Sequence, residues 1–512
     1  MRRIIRLLFS RLALAALIIL VECVLVLTIL LRLSGYSVYF LLFLVVINLL
    51  SLVAVINDDG NPEYKLTWMG VILLVPFLGV VMYLLFRRVK MSKRDIERLE
   101  IVRSELSVCR CDTTSFATLC ESDPLAAGKA MAILGIDKTS EVYRGTVSKY
   151  FAMGRDMYES MLEDIKGASR FIFLEYFIIE SGVMWDSIHD VLREKARSGV
   201  EVRVMYDDIG CMRKLRSNYD RELESEGILC HRFAKVSADI RDMRRNNNRD
   251  HRKLCIIDGY IGYTGGINLA DEYISEREVF GIWKDGGIRM EGDAVEGLTK
   301  LYLELWSLSR AEMCLASEYL SADRPHRSDG GYYIPFGSGP YPMYNHQSGK
   351  RAILDIINQA QRYVYILTPY LIIDYDLTEA LTGAAFRGVD VRIITPGIPD
   401  KPIIKVMTKS AYPHLLSGGV KIYEYTPGFL HSKAVISDDI YALVGTINLD
   451  YRSLVHHFED AVWIYASPTV EVIREDFLDT MHSSHRMTEE ESRLGPVEWA
   501  VRCLIRLFAP LF

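Results

Sequence analysis

The stretch that decides the fold reads His-Arg-Lys-Leu-Cys-Ile-Ile-Asp over residues 251–258, followed by Thr-Gly-Gly-Ile-Asn over residues 264–268. A second copy reads His-Ser-Lys-Ala-Val-Ile-Ser-Asp over residues 431–438, followed by Gly-Thr-Ile-Asn over residues 445–448. His, Lys, Asp, Gly and Asn recur at the same offsets in both copies. A single His-x-Lys is most often a surface histidine beside a solvated lysine. Two copies with five matched positions each indicate a duplicated unit.

The repeat extends upstream of both copies. Residues 170–179 resemble residues 362–373, residues 199–204 resemble residues 388–394, and residues 227–233 resemble residues 419–425. Each half reads as strand, helix, strand, helix, strand and then the His-x-Lys strand, which predicts a mixed α/β fold. We therefore expect two pseudo-twofold-related α/β units in one chain, over residues 141–325 and 326–490. The boundary falls where Gly, Pro and Ser cluster, near residues 321–340.

Each copy of the motif places its chemistry on one face of a strand. Residues i and i+2 of a strand point the same way, so the His and the Lys of each copy point together. Lysine ammonium groups and asparagine amides that converge from two halves form a donor cage for a phosphoryl group. The candidate residues of this single site are His251, Lys253, Asn268, His431, Lys433 and Asn448.

Two histidines on opposite sides of a phosphoryl group permit in-line displacement. One attacks phosphorus, and the other protonates the leaving oxygen and later deprotonates the incoming hydroxyl. The residues alone do not order the two histidines, because the halves are quasi-symmetric. Since the lysines neutralise the oxyanion charge, the site is expected to need no metal and no other cofactor.

Residues 1–90 read as a transmembrane region of two or three helices. Apolar runs at residues 12–31, 36–56 and 68–86 each approach the length that crosses a hydrocarbon core of about 30 Å. Glu22 lies inside the first run and is costly in lipid, so that run is either a span or an interfacial or helix-packed segment. Basic residues after the third run place the remainder of the chain in the cytoplasm. The N-terminal arginines also favour the cytoplasmic side. Three spans, however, would put the two basic clusters on opposite sides of the membrane.

Two flanking segments complete the organisation. Residues 91–140 read as a charged connector, in which residues 95–103 could form a short helix. Residues 491–512 read as an amphipathic helix, whose apolar face and basic opposite face suggest a position in the membrane interface, with docking on the protein core as the alternative. Arginines 241, 244, 245, 249 and 252 precede or enter the first motif and form either a solvated loop or a surface that steers anionic lipid.

The composition gives no support for nucleic-acid binding or for a zinc site. The formal charge of −6 over 512 residues gives no global signal for nucleic acid. The nine cysteines are scattered, and the Cys109, Cys111 and Cys120 cluster lacks the Cys-x-x-Cys spacing of a zinc site. Free or buried thiols in a reducing compartment are therefore the expectation.

The paired stretches resemble the HKD motifs of the phospholipase D superfamily, and within it the bacterial cardiolipin synthase branch. Residues 61–68, 264–273, 368–370, 423–431 and 445–453 carry the resemblance, which covers nearly everything from residue 60 onward. The segment before residue 36 departs from the pattern, because two N-terminal spans are commoner in that branch.

The resemblance implies a reaction through a covalent phosphohistidine. His251 would take a phosphatidyl group from one phosphatidylglycerol and release glycerol, and a second phosphatidylglycerol would accept the group to give cardiolipin. His431 would be the general acid and base. A phospholipase D-type hydrolase and a phosphatidyltransferase with another acceptor stay open as alternatives. The expected location is the bacterial plasma membrane, as a multi-pass protein whose catalytic region is cytoplasmic and meets anionic membrane lipid but no nucleic acid.

Four carboxylates complete the expected site. The resemblance implies that each histidine is oriented by a carboxylate from the other half, which pairs Glu459 with His251 and Asp285 with His431. Asp258 and Asp438 end the two motifs and are counted with their catalytic residues, although their place past the buried strand favours holding a turn or an interface.

Overall fold

The structure, a computed structural model, describes residues 37–58, 61–86, 93–108, 114–137, 139–235, 248–320, 327–341, 343–344 and 346–493, and the single residues Val24, Thr28, Gly495 and Trp499. The first apolar run and the C-terminal amphipathic segment thus lie almost wholly outside the described residues, as do arginines 241, 244 and 245. The chain divides into an N-terminal unit and a large unit, which begins at Lys90.

The N-terminal unit consists of apolar helices. They are α1 (Ser37–Ile56), α2 (Pro62–Leu74) and α3 (Pro76–Phe86). Within α1, Val38–Ile56 is long and apolar enough to cross a membrane, and it is the one helix of the described chain that meets both criteria. Trp68 packs against Tyr64 and Tyr83 in a small core between the helices.

The third apolar run is divided, which corrects the expectation of one continuous span over residues 68–86. Pro76 has no N–H to donate to the preceding turn, so the helix breaks at Val75. Hydrogen bonds resume at once, because Gly79 N donates to Val75 O over 2.6 Å. A Cβ at Gly79 would lie 2.7 Å from Val71 O, so only glycine permits this close approach at the kink.

The connector is folded rather than a plain linker. It forms α4 (Lys93–Val108), α5 (Thr114–Ser122) and α6 (Pro124–Leu134). Leu99, Val102 and Leu106 of α4 belong to the main core of the large unit. Arg103 of the same helix pairs with buried Glu304 over 2.5 Å. The three helices are therefore part of the large unit.

The first half of the large unit is built on a seven-stranded sheet. Its strands are β1 (Thr146–Phe151), β2 (Phe171–Tyr176), β3 (Glu201–Asp207), β4 (Leu229–Phe233), β5 (Lys253–Ile257), β6 (Ile261–Gly265) and β8 (Gly287–Gly292), with β7 (Ile282–Lys284) outside the sheet. Its helices are α7 (Gly154–Lys166), α8 (Val183–Arg197), α9 (Asp208–Cys211), α10 (Tyr219–Ser225), α11 (Val295–Arg310) and α12 (Ala316–Tyr319), with a 3-10 turn at Asp271–Ile274. The strand order is β1-β8-β6-β5-β2-β3-β4.

The second half repeats this arrangement. Its strands are β9 (Tyr332–Ser338), β10 (Tyr363–Leu367), β11 (Leu371–Ile372), β12 (Asp390–Pro396), β13 (Lys421–Tyr425), β14 (Gly428–Leu430), β15 (Ala434–Ser437), β16 (Tyr441–Gly445), β17 (Leu449–Asp450), β18 (Glu459–Tyr465) and β19 (Ser484–Arg486). Its helices are α13 (Ser348–Gln359), α14 (Tyr375–Phe386), α15 (Pro402–Ser417), α16 (Thr469–His482) and α17 (Glu489–Ser492), with a π-helical turn at Arg452–His456.

The sheet order of the second half is β19-β13-β12-β10-β15-β16-β18-β9. Read from β9, it matches the first sheet strand for strand, with β19 added at the far edge. In both halves three neighbouring strands are parallel and the His-x-Lys strand runs antiparallel to them. The predicted fold class, two duplicated α/β units after an apolar N-terminal region, is confirmed.

One segment departs from the structure that its sequence pattern favours. Residues 147–168 carry apolar residues at helical spacing, yet Thr146–Phe151 forms edge strand β1, and the helix begins only at Gly154. The strand pairs with β8 along its whole length. Its Tyr150 hydroxyl donates to Asp476 of the second half over 2.9 Å, so cross-half contacts favour the extended form over the local helical pattern.

The two halves share one core and exchange backbone hydrogen bonds. Phe173 and Tyr302 of the first half belong to the same buried cluster as Ile436 and Phe477 of the second. β7 of the first half pairs in parallel with β14 of the second, and Asp250 pairs with Phe458 in the same way on the other side. These two crossings lead directly into the two motif histidines.

Candidate active site

Each motif histidine is held by the backbone of the opposite half. His251 N donates to Phe458 O over 2.8 Å, and His431 N donates to Lys284 O over 2.7 Å. The residue that follows each acceptor is a carboxylate, Glu459 in one case and Asp285 in the other. The crossing strands therefore place one carboxylate beside each histidine by register alone.

The carboxylates contact the imidazoles directly. Nδ1 of His251 lies 2.9 Å from Glu459 Oε2, and Nδ1 of His431 lies 2.6 Å from Asp285 Oδ2. This is the cross-half pairing that the family resemblance implies. A proton on Nδ1 that is donated to a carboxylate leaves Nε2 with its lone pair facing away from the carboxylate.

The two carboxylates are anchored differently. Glu459 also accepts hydrogen bonds from the hydroxyls of Ser453, over 2.6 Å, and Thr446. Asp285 accepts from Gly286 N over 2.9 Å. Gly266 stands where the second half has Thr446, and a Cβ there would lie 2.0 Å from Asp285 Oδ1. A side chain at that position would displace the carboxylate from His431.

The lysines complete a buried cationic pair. Lys253 Nζ donates to His251 O over 2.5 Å, and Lys433 Nζ donates to His431 O. Burial lowers the pKa of Lys253 to about 8, against the opposing effect of nearby carboxylates. Burial likewise lowers the pKa of Lys433 to about 7. An anion that enters the site would stabilise both charges.

Burial favours the neutral form of both imidazoles. Burial, and then the charge of Lys253, lowers the pKa of His251 well below its ordinary value. Burial and Lys433 lower the pKa of His431 to about 4, while Asp285 acts to raise it. The pKa of Asp285 itself is lowered, because His431 and Lys433 together outweigh the effect of burial. The ionised form of Asp285 is therefore favoured beside His431.

The two asparagines take different positions. Asn268 is engaged within the protein: Nδ2 donates to the Tyr273 hydroxyl over 2.7 Å, and Oδ1 accepts from Ile178 N over 3.0 Å. Asn448 N donates to Ser453 Oγ over 2.8 Å, while its buried Oδ1 has no partner among the described residues. The symmetric amide cage expected from the sequence is thus not reproduced in these contacts.

Asp258 and Asp438 hold turns at the far ends of β5 and β15. Asp258, at φ +54°, accepts from the backbone N–H groups of Ser169, Arg170 and Phe171. Asp438, at φ +58°, accepts from those of residues 361, 362 and 363. Neither carboxylate contacts a histidine within the described chain, and both tie the motif strand to the strand beside it.

Two arginines that seemed available for lipid are buried. Arg249 forms a bidentate pair with Asp207, and Arg252 donates to Leu301 O and to the Tyr344 hydroxyl. Both residues are at most 1% exposed. The hypothesis of a lipid-steering surface is therefore wrong for these two positions, whose charges are already compensated inside the fold.

Several site residues could not be found from the sequence alone. His431 is surrounded by the rings of Tyr273, Trp283 and Phe429, at centroid distances of 5.6, 5.8 and 5.7 Å. Phe177 and His457 lie against His251, at 5.0 and 5.8 Å. Trp283 and His457 each stand two residues before the supporting carboxylate. Once the two carboxylates are known, this shared offset would identify Trp283 and His457 as site residues. Within the described residues no cluster of His, Cys, Asp and Glu could hold a metal ion.

Two family models match this chain. A family model described as "Cardiolipin synthase, PLD-like domain" matches residues 161–291 and again residues 353–481. A model described as "Phospholipase_D-nuclease N-terminal" matches residues 46–88.

Relatives and solved structures extend over most of the chain. An uncharacterized protein of Streptococcus mutans serotype c is 39% identical over 465 residues, covering 90% of this chain and 99% of that protein. A cardiolipin synthase of Halalkalibacterium halodurans is 30% identical over 470 residues, covering 90% and 91%. The crystal structure of phosphatidylserine synthase from Haemophilus influenzae Rd KW20 matches with a TM-score of 0.57 at 15% identity, covering 75% of this chain and 97% of that chain. At this identity the structural likeness concerns the fold alone.

Proposed function

The chain belongs to the family of cardiolipin synthases with phospholipase D-like domains, and from this premise we propose how its residues transfer a phosphatidyl group. The expected enzyme class, a phosphatidyltransferase that makes cardiolipin, is confirmed by that membership. Its substrates are phospholipids. We propose that phosphatidylglycerol is both donor and acceptor and that glycerol is the second product.

The first step forms a covalent intermediate. Nε2 of His251 attacks the phosphorus of one phosphatidylglycerol, so that a P–N bond forms and the P–O bond to the glycerol headgroup breaks. His431, protonated once the bound phosphodiester anion has raised its pKa, gives its Nε2 proton to the departing glycerol oxygen. Lys253 and Lys433 balance the charge on the phosphoryl oxygens, in a site where burial strengthens such interactions.

The second step returns both histidines to their starting state. The free hydroxyl of a second phosphatidylglycerol attacks phosphorus, the P–N bond breaks, and the electron pair returns to His251. Nε2 of His431 takes the hydroxyl proton. If water attacked instead, the product would be phosphatidic acid, so exclusion of water from the buried site favours transfer.

The electrostatics support this order of the two histidines. Burial lowers the pKa of both histidines, and at His431, where it falls to about 4, Asp285 opposes the decrease. Asp285, ionised beside His431, stabilises the imidazolium that a general acid requires, and a bound phosphodiester anion would raise the pKa of His431 further. His251, whose pKa is lowered by burial and by Lys253, is suited to remain neutral and attack phosphorus.

The apolar N-terminal helix α1 fits a membrane-associated enzyme. We propose that the chain crosses the bacterial plasma membrane more than once and that its catalytic region is cytoplasmic. The basic residues 87, 88, 90, 93 and 94, immediately after the apolar region, support this orientation. Anionic lipid in that leaflet would then reach the site directly.

The observation that carries the proposed mechanism is the pair of His–carboxylate contacts made across the halves, with a buried lysine beside each. The deciding experiment incubates the full chain with vesicles of phosphatidylglycerol alone. Cardiolipin and glycerol in equal amounts are the expected products. Phosphatidic acid with glycerol and no cardiolipin would identify a hydrolase, and cardiolipin formed only with a different added donor would contradict phosphatidylglycerol as the donor.

A further inference from the structure

Beside each motif histidine stands an aromatic ring whose N–H lacks a partner within the described part of the chain. His457 lies next to His251, and Trp283 lies next to His431, each with a ring centroid distance of 5.8 Å. Both rings are at least nine-tenths buried. Neither His457 Nδ1 nor Trp283 Nε1 meets a hydrogen-bond partner among the residues that the structure describes.

The two positions correspond under the pseudo-twofold. Three consecutive residues serve each histidine: a ring, then a backbone carbonyl that accepts from the histidine N–H, then the carboxylate on Nδ1. Around His251 these residues run from His457 to Glu459, and around His431 they run from Trp283 to Asp285. The repeat therefore places a nitrogen-bearing ring at one fixed site in both halves.

The protonation of His457 is fixed by its neighbour. Arg452 Nε donates to His457 Nε2 over 3.2 Å, and an arginine can only donate. His457 Nε2 must then carry the lone pair, which puts the proton of the neutral ring on Nδ1. Burial and Arg452 lower the pKa of His457 well below its ordinary value, in agreement with a neutral ring. Nδ1 is thus an N–H donor.

The backbone around His457 is also shaped for this position. Arg452–His456 forms a π-helical turn, and His457 N donates to Arg452 O over 2.8 Å. π-Helical turns are rare in proteins, and those that occur are often found at functional sites. Arg452 therefore holds His457 twice, through the backbone and through the ring.

We propose that His457 Nδ1–H and Trp283 Nε1–H are substrate-binding donors, one on each side of the site, that hydrogen-bond oxygens of the lipid phosphodiester. This inference rests on the proposed function, because it names further residues that recognise the same substrate. A buried donor without a partner costs folding free energy, and an oxygen-rich anion is the partner that the site is built to receive. Unpartnered N–H groups also occur elsewhere, for example at Trp306, but only these two lie beside a motif histidine among the described residues.

Isosteric substitutions test the His457 donor. His457→Asn keeps an N–H group near the Nδ1 position, whereas His457→Gln places one near the Nε2 position, and His457→Ala has none. The measurements are the Kd of inorganic phosphate for the full chain in detergent and kcat/KM with phosphatidylglycerol vesicles. We expect His457→Gln and His457→Ala to raise the Kd of phosphate and to lower kcat/KM, each by about 10- to 100-fold. For His457→Asn we expect changes of about threefold.

Trp283→Phe tests the second donor, because it removes the N–H and keeps an aromatic ring. We expect phosphate binding to weaken by about tenfold. Trp306→Phe removes an unpartnered N–H in the core, away from the two motif histidines. This variant should bind phosphate as the unchanged chain does. The thermal midpoint of each variant without phosphate shows whether a loss reflects the fold.

The outcomes separate the two proposals. If His457→Asn and His457→Gln weaken phosphate binding equally at matched thermal midpoints, the donor role of His457 is overturned. The same holds for Trp283 if Trp283→Phe binds phosphate like Trp306→Phe. If the unchanged chain makes no cardiolipin but the ranking of phosphate affinities holds, the proposed function fails and the two donors stand.

Discussion

The carboxylate of Glu459 lies 2.9 Å from Nδ1 of His251, although 208 positions and the boundary between the two halves separate them. The contact arises because Phe458 O accepts from His251 N one residue earlier. A carboxylate in this position sets the tautomer of the histidine and supports the charge that it acquires. The same relationship joins Asp285 to His431.

Replacing either carboxyl group by an amide should slow the chemical step. We expect Glu459→Gln and Asp285→Asn to lower kcat by a factor on the order of 10² to 10⁴, with a smaller change in KM, because the amide no longer fixes a proton on Nδ1. Steady-state rates of cardiolipin formation measure this. A kcat within threefold of that of the unchanged chain in both variants would show that the contacts are not used.

The covalent intermediate should form on His251. A lipid donor with p-nitrophenol as its leaving group needs no general acid, since p-nitrophenolate departs without a proton. With this donor, His431→Gln should release a burst of p-nitrophenol and accumulate a phosphatidylated protein, while His251→Gln should do neither. Mass spectrometry of the intact protein under alkaline conditions identifies the adduct. An adduct on His431 in His251→Gln would exchange the two roles.

The pH dependence should reflect the lysines. Their pKa values, lowered by burial to about 8 for Lys253 and about 7 for Lys433, mean that the charges that bind phosphate are lost as the pH rises. We expect kcat/KM to fall as the pH increases through about 7 to 8, since this parameter reports the free enzyme. Lys433→Arg stays charged and should move the fall to higher pH, even if its maximum is lower. If kcat/KM of this variant falls at the same pH as in the unchanged chain, the loss of charge on Lys433 is not the cause of the fall.

Asp258 should matter for stability rather than for chemistry. Asp258→Ala removes the acceptor of three backbone N–H groups and puts alanine at a positive φ, so we expect a loss of about 1–3 kcal/mol in the free energy of unfolding. Asp258→Asn keeps one carbonyl oxygen and tolerates that φ, and should lose less. Thermal midpoints in detergent compare the variants. A kcat reduced a hundredfold in a protein of unchanged thermal midpoint would instead place Asp258 in the reaction.

Arg103 should stabilise the large unit from the connector. It pairs with Glu304, whose side chain is fully buried, and also donates to Met343 O over 2.9 Å. Arg103→Ala leaves that carboxylate uncompensated, so we expect a loss of about 3 kcal/mol and a lower thermal midpoint. Arg94→Ala, at an exposed position of the same helix, is the control and should have almost no effect. Equal midpoints for the two variants would mean that α4 is not part of the cooperative unit.

The duplicated α/β fold was predictable because its strands are short apolar runs at matched positions in both halves. The convergence of His251 and His431 followed from the repeat itself. Edge strand β1 was not predictable, because residues 150, 153 and 157 mimic a helical stripe across the strand–helix junction at Gly154, and only pairing with β8 decides between the forms.

The rest of the site depends on contacts that no local pattern encodes. His457 and Trp283 acquire their positions from the register of strands that cross between the halves. Arg249 and Arg252 read as an exposed basic stretch, yet their partners Asp207 and Tyr344 lie 42 and 92 positions away. The break of the third apolar run was visible as Pro76, but the composition of the run alone suggested one span.

The crossing strands have an evolutionary consequence. An ancestor with a single unit would have had a histidine on one copy and the carboxylate for it on another, so it could have acted only as a pair of identical chains. Fusion of two copies replaced that concentration-dependent association with a permanent one. It also released the copies from identity, and one half now has aspartate and tryptophan where the other has glutamate and histidine. Such divergence allows one histidine to act as the nucleophile and the other as the acid.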